Sequence, residues 1–318
     1  MHGGLPLKKT MLYFIILETW LGAMSLSEKT PKMLKISKII VYVITCFSLF
    51  AAASSAESES YLWLGEREPQ ATIATEIPPP EGYERVEVTA ESFAYWLRHL
   101  PLKQKGTPVY LYDGRKKVNQ EAHFAVVDID TGTRNLQQCA DAVIRLRAEY
   151  LYDRGLYSAI HFNFTSGDEA SFTKWAAGYR PKVNGNTVQW VKKADEDSSY
   201  TNFRRYLTTV FIYAGTYSLS KELKPRRDIH DMSIGDVFIE PGFPGHAVIV
   251  VDMAEDKQNG KKVFLLTQSF IPAQDIHILN NPDSAGLSPW YELDFGRTLR
   301  TPEWQFRNTD LKYFTQYN

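Results

Sequence analysis

Apolar residues arrive in bursts along this chain, and the spacing within each burst predicts an element. Residues 135–152 carry the clearest helical period, with Leu136, Cys139, Val143, Leu146 and Tyr150 on one face. Asn135 is placed to cap this helix, and Gln138 to complete a capping box. Residues 200–223 read as a second long helix, broken or bent near Gly215, and residues 91–100 as a short one ending at Pro101. Residues 109–112, 123–129, 160–164 and 188–191 read as strands, the second closed by a turn at Thr131-Gly132.

The carboxy-terminal third is strand-rich. Residues 236–239 and 246–252 are strands split by Pro241-Gly-Phe-Pro-Gly245, and residues 262–270 form a third. Helices first and neighbouring strands later predict an α+β fold, not a doubly wound parallel sheet. If Asp252 opposes Lys262, then Val250 meets Phe264, Val248 meets Leu266 and His246 meets Gln268, leaving a loop over 255–259. That register joins opposite charges and apolar partners, and it sets His246 and Gln268 on one face. A tight turn at Asn259-Gly260 would oppose His246 to Ala273 instead. The first register is preferred.

The amino terminus follows another logic. A basic stretch at 33–38 precedes an apolar run over 39–53 and small residues at Ser54-Ser55-Ala56. Basic, apolar, then small is the order of a secretory signal peptide, here 33–56 within a targeting segment 1–56. The run falls short of the about 20 residues a membrane span needs, so no transmembrane span is expected in the mature form. Met1 and Met33 both remain candidate starts, and Thr45 disfavours a lipid anchor at Cys46. The polar stretch 57–80, ending in Pro78-Pro79-Pro80, reads as an extended linker, and 81–318 as a single α+β domain.

Composition narrows the field. At 44% hydrophobic, 23% charged and net charge −1, the chain is an ordinary globular one with no charge run that would suit nucleic acid. The two cysteines are Cys46, inside the signal, and Cys139. An exported protein with one cysteine has no internal disulfide, so its thiol is buried, pairs between chains, or reacts.

Chemistry gathers on Cys139, His246 and Gln268. A cysteine hydrolase needs a thiolate, a base beside it and a polar group that orients the base. Cys139 falls in the first turn of its helix, where the dipole would lower a thiol pKa. His246 opens its strand directly after Gly245, and Asp252 or Ser269 are alternatives to Gln268 as the third member. The bland reading is a buried structural cysteine and a satisfied strand-end histidine. Ile129-Asp130-Thr131-Gly132 has the form of an aspartic-protease loop, but a second such loop is missing, and an Asp-stabilised turn is the better reading. His123, His161 and His277 lack metal spacing, so neither metal nor cofactor is expected. Trp175, Trp190, Trp290 and Trp304 read as core aromatics before sugar platforms.

Gly235-Asp236-Val-Phe-Ile, then Gly245-His246-Ala-Val-Ile-Val-Val, then Thr267-Gln268-Ser269, resembles the carboxy-terminal half of NlpC/P60 and CHAP peptidases. Gln138-Cys139-Ala140 is similar to the CHAP nucleophile's Gln-Cys-Thr. The resemblance implies a papain-like helix on an antiparallel sheet, with Cys139 as nucleophile, His246 as base and Gln268 as orienting residue. It further implies a periplasmic or cell-surface hydrolase of cell-wall peptides, with peptidoglycan as partner. Asp-Cys-Ser, usual in NlpC/P60, is absent, and residues 81–133 match nothing in those peptidases. The stretch Asn135-Leu-Gln-Gln-Cys-Ala-Asp-Ala-Val-Ile-Arg-Leu-Arg-Ala-Glu149 also resembles an exported bacterial family of unknown function. The competing class is a non-catalytic envelope module for binding or structure.

Overall fold

The structure is a computed structural model that describes residues 61–315; the expected targeting segment lies outside the described residues. Along the chain run α1 (Ile73–Glu76), β1 (Tyr83–Arg85), α2 (Phe93–Arg98), β2 (His123–Val126) and α3 (Cys139–Asp153). Next come β3 (His161–Asn163), β4 (Glu169–Ser171), α4 (Phe172–Ala176), β5 (Tyr179–Asn184), β6 (Thr187–Lys192), α5 (Tyr200–Tyr213) and α6 (Thr216–Glu222). The remainder is β7 (Lys224–Pro225), β8 (Val237–Glu240), β9 (His246–Asp256), β10 (Lys262–Gln268), β11 (His277–Leu279), β12 (Tyr291–Glu292), β13 (Thr298–Arg300), β14 (Gln305–Arg307) and β15 (Leu311–Tyr313).

This is an α+β fold built on one large antiparallel sheet. Among the described residues nine strands share it, in the order β2-β11-β10-β9-β8-β15-β7, with β1 added on β9 and β12 on β10. The unbroken apolar run of β9 makes it the centre: its residues are buried from His246 to Ala254, as a strand covered on both faces must be. Gly235 has φ +97°, and a Cβ there would meet the Phe93 ring at 3.0 Å, so glycine lets the chain enter β8 close against α2.

Helix α3 is buried from Cys139 to Tyr152 on every side, not only along the predicted stripe. β9 and β10 cover one side, and α2 and α6 pack on others. The helix begins at Cys139 rather than Asn135. Its cap is the Asp141 carboxylate, which accepts the Gln138 N–H at 3.0 Å, while Asn135 accepts the Ala273 N–H at 2.7 Å. The second long helix divides at Ala214-Gly215 into α5 and α6.

Two further expectations about the fold need correction. Residues 61–80 are not an extended linker: Tyr61, Leu64, Ile73 and Ile77 are buried in the main core, and Tyr61 lies 5.3 Å from the Trp96 ring. The polar average of that stretch hides a few well-spaced apolar anchors. The expected β9–β10 register is also wrong. Lys262 opposes Glu255 and Leu265 opposes Asp252; then, after a bulge, Leu266 opposes Val250 and Thr267 opposes Ile249. Val251 is the extra residue. Continued without it, the observed pairing of Lys262 to Leu265 would turn His246 and Gln268 to opposite faces; the bulge returns them to one.

Candidate active site

Where β10 parts from β9, the end of α3 comes in. The even residues of β9 bond toward β8, as Val250 shows by exchanging hydrogen bonds with Gly235 and Asp236 at 2.8 Å. Gly245 and Ala247 therefore turn their peptide groups the other way, beyond the last β9–β10 pair at Thr267 and Ile249. The Cys139 thiol takes up that position and donates to the Gly245 carbonyl at 3.9 Å. Its sulfur is thus set against the peptide of the residue preceding His246.

The thiol is 5% exposed and borders a cleft of about 270 Å³ lined by Gln138, Asp141, Thr216, Phe243 and Ile271 among others. Phe243 and Ile271 stand out at its rim, 87% and 52% exposed. The expected lowering of the thiol pKa does not occur. Burial and then the Asp141 carboxylate push it up to about 11, against the pull of the Ala140, Ala247 and Cys139 N–H groups. Helix-end donors act on this sulfur, but desolvation outweighs them. Asp141 is itself held well above the usual carboxylate range by burial, and its Oδ1 has no hydrogen-bond partner.

His246 does not bond the sulfur among the described residues. Its Nε2 meets Gln268 Oε1 at 2.7 Å, and its ring is boxed by Phe270, Trp304 and Phe306 at 4.8, 5.3 and 5.8 Å. Burial lowers its pKa to about 4, with the Lys117 ammonium adding to that and Gln268 opposing it. The imidazole is neutral at pH 7. Of the three candidates for third member, Gln268 is the one that meets the ring. Asp252 is spent on Arg85 and Arg98 at 2.7 and 2.6 Å, and Ser269 Oγ donates to the Gln137 and Gln274 carbonyls.

Behind Gln268 lies a polar chain that the sequence did not disclose. Gln268 Nε2 donates to Glu303 Oε2 at 2.9 Å and to His277 Nε2 at 3.3 Å. Lys117 Nζ also reaches Glu303, at 2.5 Å, and His277 Nε2, at 3.3 Å. Lys117 precedes β2 and Glu303 lies in the β13–β14 turn, so no local spacing links them to His246. The only local signal is that Gln268 and His277 share one face of paired strands.

The other candidates resolve into structure. Asp130 pairs with Arg145 and Arg204 at 3.2 and 3.0 Å, as a counter-ion rather than a protease carboxylate. Trp175 Nε1 donates to Asn202, Trp290 Nε1 to the Pro78 carbonyl, and Trp304 Nε1 to Glu240. No helix of the described residues is long and apolar enough to cross a membrane.

An antiparallel sheet with one central buried helix, and a thiol at that helix's first residue, define the chain as an α+β protein. Residues 73–313 match the family described as a domain of unknown function (4846), and the chain belongs to it. Neither a curated protein nor a solved structure matches the chain.

Proposed function

We propose that this chain is a papain-like cysteine hydrolase of the cell envelope, cleaving amide bonds in cell-wall peptides. The observation that carries the reading is the juxtaposition just described. The Cys139 sulfur sits against Gly245, and the next residue holds an imidazole whose Nε2 is committed to Gln268. Nδ1 of that ring has no hydrogen bond among the described residues, and on this reading it receives the thiol proton.

In this mechanism thiol and imidazole are both neutral at rest, unlike an ion pair. His246 Nδ1 takes the proton as Cys139 Sγ bonds to the scissile carbonyl carbon, and Gln268 Oε1 steadies the imidazolium through Nε2–H. The oxyanion meets the Cys139 N–H and the Gln138 side-chain amide, whose Nε2 donates to Asn135 Oδ1 at 3.2 Å in the resting site. Collapse breaks the C–N bond, the Nδ1–H goes to the leaving amine, and water then releases the acyl group. The exposed Phe243 and Ile271 suit an apolar stretch of substrate. Export rests on the amino-terminal pattern and peptidoglycan on the resemblance to NlpC/P60 and CHAP enzymes.

The test is digestion of purified peptidoglycan and synthetic wall peptides, with new amino groups counted by mass spectrometry. Products that vanish in Cys139→Ser and in His246→Ala support the reading; products unchanged in either variant, or none from any wall peptide, sink it. A second reading, a non-catalytic envelope module, is favoured by the thiol's 5% exposure and its pKa near 11. It expects Cys139 to resist alkylation until the protein unfolds, with no effect of His246→Ala.

A further inference from the structure

The chain of polar groups behind His246 has a direction, and the direction follows from which atoms are able to donate. His277 Nδ1 lies 2.8 Å from the Asp275 carbonyl, an oxygen that only accepts, so this nitrogen carries the proton. Burial and the adjacent Lys117 ammonium hold His277 neutral, which leaves a lone pair on Nε2. The Glu303 carboxylate likewise only accepts, and Lys117 supplies its counter-charge.

Two acceptors therefore lie beside Gln268 Nε2: Glu303 Oε2, which takes one N–H at 2.9 Å, and the single His277 Nε2 lone pair, which the other N–H shares with Lys117 Nζ at 3.3 Å each. A flipped amide would aim its carbonyl at a carboxylate and a lone pair, which both repel it. The amide is locked with Oε1 toward His246, and because Oε1 only accepts, His246 Nε2 must donate. A neutral ring protonated on Nε2 has its lone pair on Nδ1.

We propose that Lys117, Glu303 and His277 are positioning residues that fix, through Gln268, the tautomer in which His246 Nδ1 is the base. The use made of that lone pair rests on the hydrolase reading; the assignment of the proton does not. The titratable groups around the ring are Lys117, Glu303, His277, the neighbouring Glu240, which accepts from Trp304 Nε1, and Cys139. None of these except the relay itself constrains Nε2. Trp304 and Phe306 close over the ring and keep water from supplying a substitute acceptor.

The experiment is nitrogen-15 NMR of the histidine rings in the full chain at neutral pH, with His246 assigned by its loss in His246→Ala. Wild type is expected to show one neutral tautomer, protonated on Nε2. Glu303→Gln keeps an acceptor oxygen for Gln268 and should preserve that pattern; Glu303→Leu removes it and should give a mixture of tautomers. Should Glu303→Leu fail to fold, because Lys117 loses its counter-charge, Lys117→Met with Glu303→Leu keeps the site neutral and should give the same mixture. A wild-type ring protonated on Nδ1, or a single Nε2–H tautomer surviving in the leucine variants, overturns the proposal. Cys139 alkylation in the same samples keeps the two ideas apart. Labelling that slows only where the tautomer is lost supports both. Tautomers that change as expected while labelling ignores every variant support the relay and remove the hydrolase.

Discussion

Two buried polar clusters flank this site, and they use charge for different ends. One surrounds Arg145, fully buried on α3. It joins Glu149 four residues on, donates to Gln137 Oε1 at 2.9 Å, and meets Asp130, with Arg204 and Tyr200 completing the ring around Glu149. Gln137 also accepts from Ser269 through its carbonyl. That cluster holds the backbone two residues before Cys139. The other cluster, Lys117 to His246, touches no backbone near the sulfur and governs a single proton. A charge paired for shape and a charge paired for direction look alike in a list of buried residues. They separate only when each donor is traced to its acceptor.

The contrast is sharpest where it is most damaging. Arg145→Met leaves Glu149, 1% exposed, without its main partner and should cost about 3–5 kcal/mol in denaturant titrations, while a paired Arg145→Met, Glu149→Leu variant should recover much of it. If the single change proves mild, the cluster does not hold α3 in place. Acid should act on the other cluster. The folded His246 ring refuses the proton that an unfolded chain takes up from pH 6.5 downward. The His246 contribution is therefore constant above 6.5 and falls by about 1.4 kcal/mol per pH unit as pH drops toward 4, with His277 adding to the loss. The buried carboxyls of Asp141 and Glu222, raised by burial, hold protons in the fold and act the other way. The alkaline edge runs the other way, since Cys139 keeps its proton between pH 9 and about 11 while the unfolded chain loses it, so stability declines over that span. Thermal melts across pH check both edges against His246→Ala and Cys139→Ser; a stability difference between wild type and His246→Ala that stays constant from pH 6.5 to 4 would show that the ring takes up its proton in the fold.

Gln268→Leu should cost about 1–3 kcal/mol, because it leaves His246 Nε2–H without its acceptor in an aromatic box. It should also slow Cys139 alkylation at neutral pH, an effect that Arg145→Met does not reproduce in whatever fraction stays folded. Least of all should Phe243→Ser disturb the fold. At 87% exposed it is expected within about 0.5 kcal/mol of wild type by thermal melt, yet it should raise KM for an apolar wall peptide with kcat little changed. An unchanged KM would mean that the cleft rim does not touch substrate.

Periodicity carried much of this architecture. β8, β9, β10 and the body of α3 lie where the apolar bursts put them, since burial and repeat are two views of one fact. The pairing of His246 with Gln268 was legible too, although the register from which it was read is wrong along the whole ladder, and it is the bulge that brings the two onto one face. Neither the extra Val251 nor the role of Glu303 leaves a local mark, because each is decided by what packs across the sheet. Residues 61–80 were misjudged for a related reason: four anchors are too few to shift the average of a polar stretch. The thiol's elevated pKa depends on how deeply Asp141 and the sulfur are enclosed, and no helix-end rule supplies that depth.

The one-residue insertion in β9 has a consequence for anyone trimming or grafting this strand. Side chains alternate, so deleting Val251 would invert everything from His246 to Val250 in a single step, sending the imidazole out of its aromatic box while leaving every remaining amino acid in place. Strand length here is as much a functional specification as residue identity, and a shorter copy with the same letters would be a different molecule.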